Sequence, residues 1–453
     1  MTRLLIKGAT IVTMDEAIKD LSKGDILIDN GHIAAIAPRI AADDAGIIDA
    51  GGMIAIPGLI NAHLHTWQTA LRGIAGDWTV GRYMQAMHGG LAGHFQPDDV
   101  AIANLMGGLN QLHCGTTTLI DWCHCNRTPE HTDAAIDGLM QSGARAVFLH
   151  GSPKPDQKPG QRHFSEIPMP RTEIERLRKG RFATNDGVVT LGLAILGPSY
   201  STREVTRSDI ALARDFDLIA SMHVGGGTPL QPKGFEELLQ DGLVRKGFNI
   251  VHGNEMKPAL IRALADAGAD FTVTAEVELQ MGYGDPLTGI LNACGAAPSI
   301  GSDVEPCMSG DMFSVMRVTL QFERARRTLE LLGENGSRPM EIPLTCRQAL
   351  AWATINGARM AGLDDRIGSL TPGKQADIVL LSAGDINMFP VTDPVSSVVL
   401  QGGVANVDTV LVAGRIVKRH GKLLYPDLET KKDALRRSGT RILADFGILP
   451  RVA

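Results

Sequence analysis

Aromatic side chains are scarce in this chain: Phe, Trp and Tyr together make up 4% of its 453 residues. So few rings do not make the stacking platforms that single-stranded nucleic acids need. Positive charge is also short. Lysine and arginine number 44 against 50 acids, a net charge of −6, which argues against nonspecific binding to nucleic acid or to an anionic membrane surface. No apolar run reaches the roughly 18 residues needed to span a bilayer. The opening stretch, MTRLLIKGATIVTMD, soon alternates apolar and polar residues and then meets Asp15. It reads as a strand and not as a signal peptide, so the expected location is the cytoplasm. Six cysteines are too few for a disulfide scaffold. Cys123 and Cys125 flank His124, but no second pair stands at zinc-site spacing, and they read as buried or loop thiols. No G-x-G-x-x-G follows the first strand of the central region, which disfavours a doubly wound dinucleotide-binding sheet.

What is present is an ordinary globular composition, 44% apolar and 21% charged, on a chain longer than one hydrophobic core usually organises. The ends are strand-rich. Leu4–Met14 mostly alternates, Asp25–Asp29 follows Gly24, and Asp29-Asn30-Gly31 is a hairpin signal before a return strand, His32–Ala37. Ile47–Ile56 follows, broken by Gly51-Gly52. At the far end Asp377–Leu381, Val398–Leu400 and Val410–Val417 are β-branched runs. The simplest organisation is a small β-sandwich built from both ends, residues 1–56 and 366–425, with a large domain of residues 57–365 inserted between them. Residues 426–453 carry basic and apolar residues at helical spacing and predict a helical extension that docks on the barrel or on a second subunit.

The inserted region alternates strand and helix patterns, the mark of βα units and a parallel sheet. Eight short strands can be placed: Ile54–Asn61, Thr116–Asp121, Ala144–His150, Val188–Leu196, Leu218–His223, Asn249–His252, Asp270–Thr274 and Pro298–Asp303. Amphipathic stretches such as Glu204–Phe216 and Lys257–Ala267, the latter stopped by Gly268, separate them. The fold class is therefore α/β, a (β/α)₈ TIM barrel with a small β-sandwich.

The chemistry lies in where the histidines and acids fall. His63 and His65 lie just beyond the first strand, His223 ends the fifth, His252 the sixth and Asp303 the eighth. All strand C-termini of such a barrel meet on one face, so these five groups converge there. Residues i and i+2 at a strand end point the same way, which turns both imidazoles of H-x-H toward one ion. Neutral imidazoles with one carboxylate suit a divalent first-row metal such as zinc, with iron, manganese and cobalt left open.

The segments PGLINAHLH (57–65), GTTTLID (115–121), SMHVG (221–225), VHGNE (251–255), SIGSD (299–303) and GSLTPGKQADIVLL (368–381) resemble the amidohydrolase superfamily. The resemblance lies in the branch that holds chlorotriazine hydrolases and cytosine, guanine and S-adenosylhomocysteine deaminases. It implies one bound divalent metal ion with His63, His65, His223 and Asp303 as ligands. It further implies that His252 orients the water or polarises the substrate, and that Asp303 takes a proton from the activated water and passes it to the leaving group. It allows a homodimer or higher homo-oligomer and a small-molecule substrate.

The sequence departs from that branch in one place. Many of its deaminases and triazine hydrolases carry a glutamate three residues after the third metal histidine, which shuttles protons to a ring nitrogen. Here the stretch is His223-Val224-Gly225-Gly226-Gly227. Glu255, Glu276, Glu278 and Glu305 are the acids that could replace it, with Glu276 foremost. Attack on an amide, urea or carbamate carbonyl does not need ring protonation. The expected function is therefore metal-dependent hydrolysis of a carbonyl C–N bond. The alternatives are an aminohydrolase acting on a purine, pyrimidine or triazine, and a non-catalytic metal-binding homologue. Trp67, Gln68, His124 and Glu276 are the expected substrate contacts. Arg72, in the same loop as Trp67 and Gln68, reads equally as a substrate contact or as a structural residue paired with a nearby acid. The polar segment Gly151–Arg171 and the stretch around Trp78–His88 read as lids or rim loops.

Overall fold

The computed structural model describes residues 3–448. Five strands come from the N-terminal end: β1 (Arg3–Ile11), β2 (Leu21–Asp29), β3 (His32–Ala37), β4 (Gly46–Asp49) and β5 (Met53–Pro57). The barrel follows with β6 (Leu59–Leu64), β7 (Thr116–Cys123), β8 (Arg145–Gly151), β9 (Val189–Ala194), β10 (Ala220–Val224), β11 (Phe248–His252), β12 (Ala269–Val273) and β13 (Ser299–Ile300). The chain then returns to the first sheet with β14 (Ile378–Ser382), β15 (Val407–Val412), β16 (Arg415–Arg419) and β17 (Lys422–Leu423).

The two chain ends form one continuous sheet in the order β17-β16-β15-β14-β5-β1-β2-β3, with β4 paired to β1. The join is β5 against β14, antiparallel from Met53–Ser382 to Pro57–Ile378. Ile6, Ile11, Ile26 and Ile28 from one end share a core with Ile378, Leu380 and Leu411 from the other. Neither half can bury its apolar face without the other. The hairpin between β2 and β3 turns on Asn30 and Gly31, both at positive φ (50° and 81°), the conformation a two-residue type I′ turn requires.

Strands β6 to β13 pair in parallel and in sequence. The ring closes through a parallel bridge between Leu64 and Asp303. The amide of His65 donates to the carbonyl of Asp303 (2.8 Å), and the amide of Asp303 donates to the carbonyl of His63 (2.9 Å). A buried pair anchors the barrel on the other sheet. Arg145 of β8 donates through Nε and Nη2 to the two carboxylate oxygens of Asp377, both at 2.9 Å. The paired, hydrogen-bonded geometry offsets the desolvation of both charges.

Two runs differ from the sequence reading. Ile54–Asn61 is not one strand: Met53–Pro57 belongs to the terminal sheet and Leu59–Leu64 opens the barrel. Both parts are buried, so no polar residue marks the border. Gly58 makes it, because a Cβ there would lie 2.0 Å from the Thr117 hydroxyl. Val398–Leu400 lies in a helical turn, Ser397–Gln401, in which Val398 and Val399 are buried. A short buried apolar run looks the same in either state.

The expected helices form over Arg203–Asp215, capped by the Thr202 hydroxyl accepting from the Val205 amide, and over Pro258–Asp266. The C-terminal extension is a helix over Leu428–Asp445 that docks on its own chain. Ser438 donates to Asp99 at 2.7 Å, and Arg441 pairs with the same carboxylate. Residues 449–453 of that extension, like residues 1–2, lie outside the described residues. Among the described residues, no helix is long and apolar enough to cross a membrane.

Candidate metal centre and active site

The last residues of β6, β10 and β11 and the residue that closes the barrel bring four histidines and an aspartate to one point. His63 Nε2 lies 3.1 Å from Asp303 Oδ1, and His65 Nε2 lies 3.2 Å from the same oxygen. His223 Nε2 stands 3.2 Å from His63 Nε2. One ligand atom from each of His63, His65, His223 and Asp303 falls within 4.8 Å of all the others. His252 stands one step out, its Nε2 3.8 Å from Asp303 Oδ2.

These rings are set up to offer lone pairs inward. The Nδ1–H of His65 donates to the Trp122 carbonyl at 2.6 Å, which fixes the tautomer and leaves Nε2 as the donor atom. Burial pushes His63 down to about 4 and His223 well below the ordinary histidine value, so both are neutral at pH 7. Burial opposes charge on Asp303, but the close approach of the His63 and His65 rings holds it well below the usual carboxylate range. Three imidazoles and one carboxylate, their ligand atoms gathered within 4.8 Å of one another, are a donor set for one divalent cation.

His252 is held from behind. Its Nδ1 lies 3.3 Å from Glu278 Oε1 and 3.0 Å from the Thr274 hydroxyl. Glu278 is itself fixed, accepting from the Thr274 amide at 2.9 Å and from Asn254 at 3.1 Å. His252 and Asp303 share one further trait. Both hold left-handed backbone, φ 66° and 61°, a conformation that costs free energy in non-glycine residues and concentrates at functional positions.

The other expected site residues divide. Trp67 is fully buried and packs on Phe95, His88 and His124 with ring centroids 5.1, 6.0 and 6.3 Å away. His124 lies against His65, centroids 4.4 Å apart, and among the described residues neither of its ring nitrogens has a partner. Gln68 donates to the Tyr83 hydroxyl at 2.6 Å. Glu276 is not at the site histidines. It accepts from the Ser314 hydroxyl on the helix Met312–Asn335. The acid that reaches the histidine cluster is Glu278, two residues on, because one step along a helix turns the side chain about 100° and two turn it to the other face. Arg72 pairs with Glu305 at 2.7 Å, the second of its two readings. Glu255 is exposed.

The polar segment after β8 hides one residue the sequence reading passed over. Lys154 is buried although its neighbours 155–162 are exposed. Its ammonium sits 4.3 Å from the Tyr200 ring centroid and 5.5 Å from that of Trp122. The three glycines after His223 all take positive φ, with Gly226 at 77°. A Cβ on Gly226 would stand 3.1 Å from the Tyr200 hydroxyl and 3.4 Å from Val80. The missing glutamate is thus built into the backbone, since this position is shaped for glycine and its side is filled by Tyr200.

Residues 54–417 match the model of the amidohydrolase family. The 5-methylthioadenosine/S-adenosylhomocysteine deaminase of Caldicellulosiruptor saccharolyticus is 27% identical over 439 residues, covering 94% of this chain and 95% of its own. The 5'-deoxyadenosine deaminase of Methanothermobacter thermautotrophicus is 26% identical over 419 residues, covering 89% and 91%. Among solved structures, a triazine hydrolase variant superposes with a TM-score of 0.84 at 22% identity, covering 97% of this chain and all of that one. An adenosine deaminase from Xanthomonas campestris with bound zinc superposes at 0.81, also at 22% identity, covering 98% and 99%.

Proposed function

The chain belongs to the amidohydrolase family, and on that footing we propose that it cleaves a carbonyl C–N bond in a small amide, urea or carbamate with the help of a metal ion. His63, His65, His223 and Asp303 are the proposed ligands of one divalent ion, zinc foremost on its donor set. An ion bound there supplies Lewis acidity and acidifies a water molecule toward a pKa of about 7.

The rest is the work of the chain's own side chains. Asp303 is ionised, so it can accept a proton as water adds to the carbonyl carbon and return it to the departing nitrogen as the C–N bond breaks. His252, with Nδ1 held on Glu278, presents Nε2 beside Asp303 and orients the water or hydrogen-bonds the substrate oxygen. Trp67 and His124, which pack against each other beside His65, are the proposed neighbours of the substrate.

The observation that supports carbonyl cleavage is Gly226. Protonating a ring nitrogen calls for an acid on that side of the site, and the backbone there is shaped for glycine. The four acids that could replace it are spoken for: Glu305 by Arg72, Glu276 by Ser314 and Glu278 by His252, while Glu255 faces solvent. A second reading, deamination of an adenine-type ring, is favoured by full-length relatives that bear deaminase names. Metal-loaded enzyme on a mixed panel of N-substituted amides, ureas, carbamates and aminated heterocycles decides between them. Amine release from a carbonyl compound supports the proposal. Ammonia release from a heterocycle, without carbonyl cleavage, supports the second reading instead.

A further inference from the structure

Three nitrogen-bearing side chains from three successive barrel loops are buried beside the proposed metal centre. His88 ends the helical turn Met84–His88 in the loop after β6, His124 follows β7, and Lys154 follows β8. Their relative exposures are 6%, 2% and 7%. The rings of His88 and His124 are 4.5 Å apart, and the indole of Trp122 lies 4.3 Å from His124 and under the Lys154 ammonium. Among the described residues, neither nitrogen of His124 has a hydrogen-bond partner, and Lys154 has no ion pair. Asp156, two residues further along, is exposed and pairs with nothing.

Proteins bury such groups with acceptors, because an unpaired buried donor costs free energy and an unpaired charge costs more. The acids nearby serve other partners. Glu278 is tied to His252, and Asp121 accepts from the Thr66 amide and from Asn104. Asp303 serves His63 and His65. Among the described residues the chain thus supplies no acceptor to His124 and no ion pair to Lys154.

Resting on the reading of the adjacent cluster as the active centre, we infer that the substrate carries a carboxylate, received by Lys154 together with His124 and His88. The geometry selects the class of anion. One lysine balances one negative charge, whereas a phosphate dianion would leave a second charge buried and unpaired. The flanking rings of Trp122 and Tyr200 hold the ammonium without neutralising it. Burial, only partly offset by the more distant Asp303, pushes Lys154 down to about 7, and an incoming carboxylate favours its charged form. The subsite adjoins the glycine turn: Tyr200, whose ring meets Lys154, also borders Gly226. A substrate can thus span from the metal centre to Lys154 across the glycines.

The test uses matched pairs of amides and ureas, one member bearing a carboxylate and the other the corresponding methyl amide. Metal-loaded wild type, Lys154→Met and Lys154→Arg are compared by kcat/KM and by binding calorimetry. The expected result is a preference of about 10- to 100-fold for the carboxylate members in wild type. That preference collapses in Lys154→Met and is partly kept in Lys154→Arg. Comparing variants, all with the metal ligands intact, separates the lysine from any carboxylate binding at the metal. Equal handling of both members by wild type, or a preference that survives in Lys154→Met, overturns the inference. If no pair is turned over, the proposed reaction fails, while calorimetry on the same compounds still reads the subsite.

Discussion

Leu64 and Asp303 are joined by the single bridge that closes the barrel, and the same Asp303 turns its carboxylate onto His63 and His65. Main chain and side chain of one residue thus do separate things, and a substitution can part them. Asp303→Asn keeps the backbone bridge, and asparagine tolerates the left-handed φ at this position. We expect its thermal melt to stay close to wild type while turnover falls about 10²- to 10⁴-fold, the usual worth of a general acid–base group. Loss of cooperative folding in Asp303→Asn would show that the carboxylate itself holds the barrel shut.

Glu278 and Glu276 lie two residues apart and face different partners, His252 and Ser314. Glu278→Gln removes the charge behind His252 and is expected to lower kcat about 10- to 100-fold, as loss of a group that orients a site histidine does. Glu276→Gln is expected to leave kcat unchanged. A large loss in Glu276→Gln, with ammonia as the product, would return that residue to the site and favour deamination.

Gly226 holds φ 77°, so a side chain there is strained whatever its chemistry. Gly226→Ala is expected to lose about 1–2 kcal/mol of stability in urea titration. Gly226→Glu is expected to gain no ammonia release from heterocycles. A Gly226→Glu protein that is stable and deaminates would contradict the reading of this backbone.

Asp209 gives a pH test away from the site. Burial raises its carboxyl to about 7, against a hydrogen bond from the Met169 amide that lowers it. A folded value raised above the unfolded 3.8 means that its contribution is full below about pH 4 and is lost as pH climbs through about 7. The urea midpoint of wild type should therefore drop over that window relative to Asp209→Asn, whose neutral amide does not titrate. Parallel pH curves for the two proteins would contradict this.

Much of the barrel was legible because its strands are apolar runs with histidines or an aspartate at their ends, and His63, His65, His223, His252 and Asp303 fall where those runs stop. The hairpin at Asn30-Gly31 was legible through its turn chemistry. The border at Gly58 was not, since burial on both sides erases the polar signal. Glu278 was weighed below Glu276 because a two-residue difference on a short helix decides which carboxylate turns inward. Lys154 escaped notice because it lies in a segment that is polar and mostly exposed. Only the packing of Tyr200 and Trp122 around it, from distant parts of the chain, marks it.

The central claim is a single divalent ion held by His63, His65, His223 and Asp303, and metal content by plasma mass spectrometry tests it most directly. Purified wild type should carry about one divalent ion per chain, and His63→Ala, His65→Ala and His223→Ala should each lose it while remaining folded. Stoichiometric metal retained in all three variants would contradict the account.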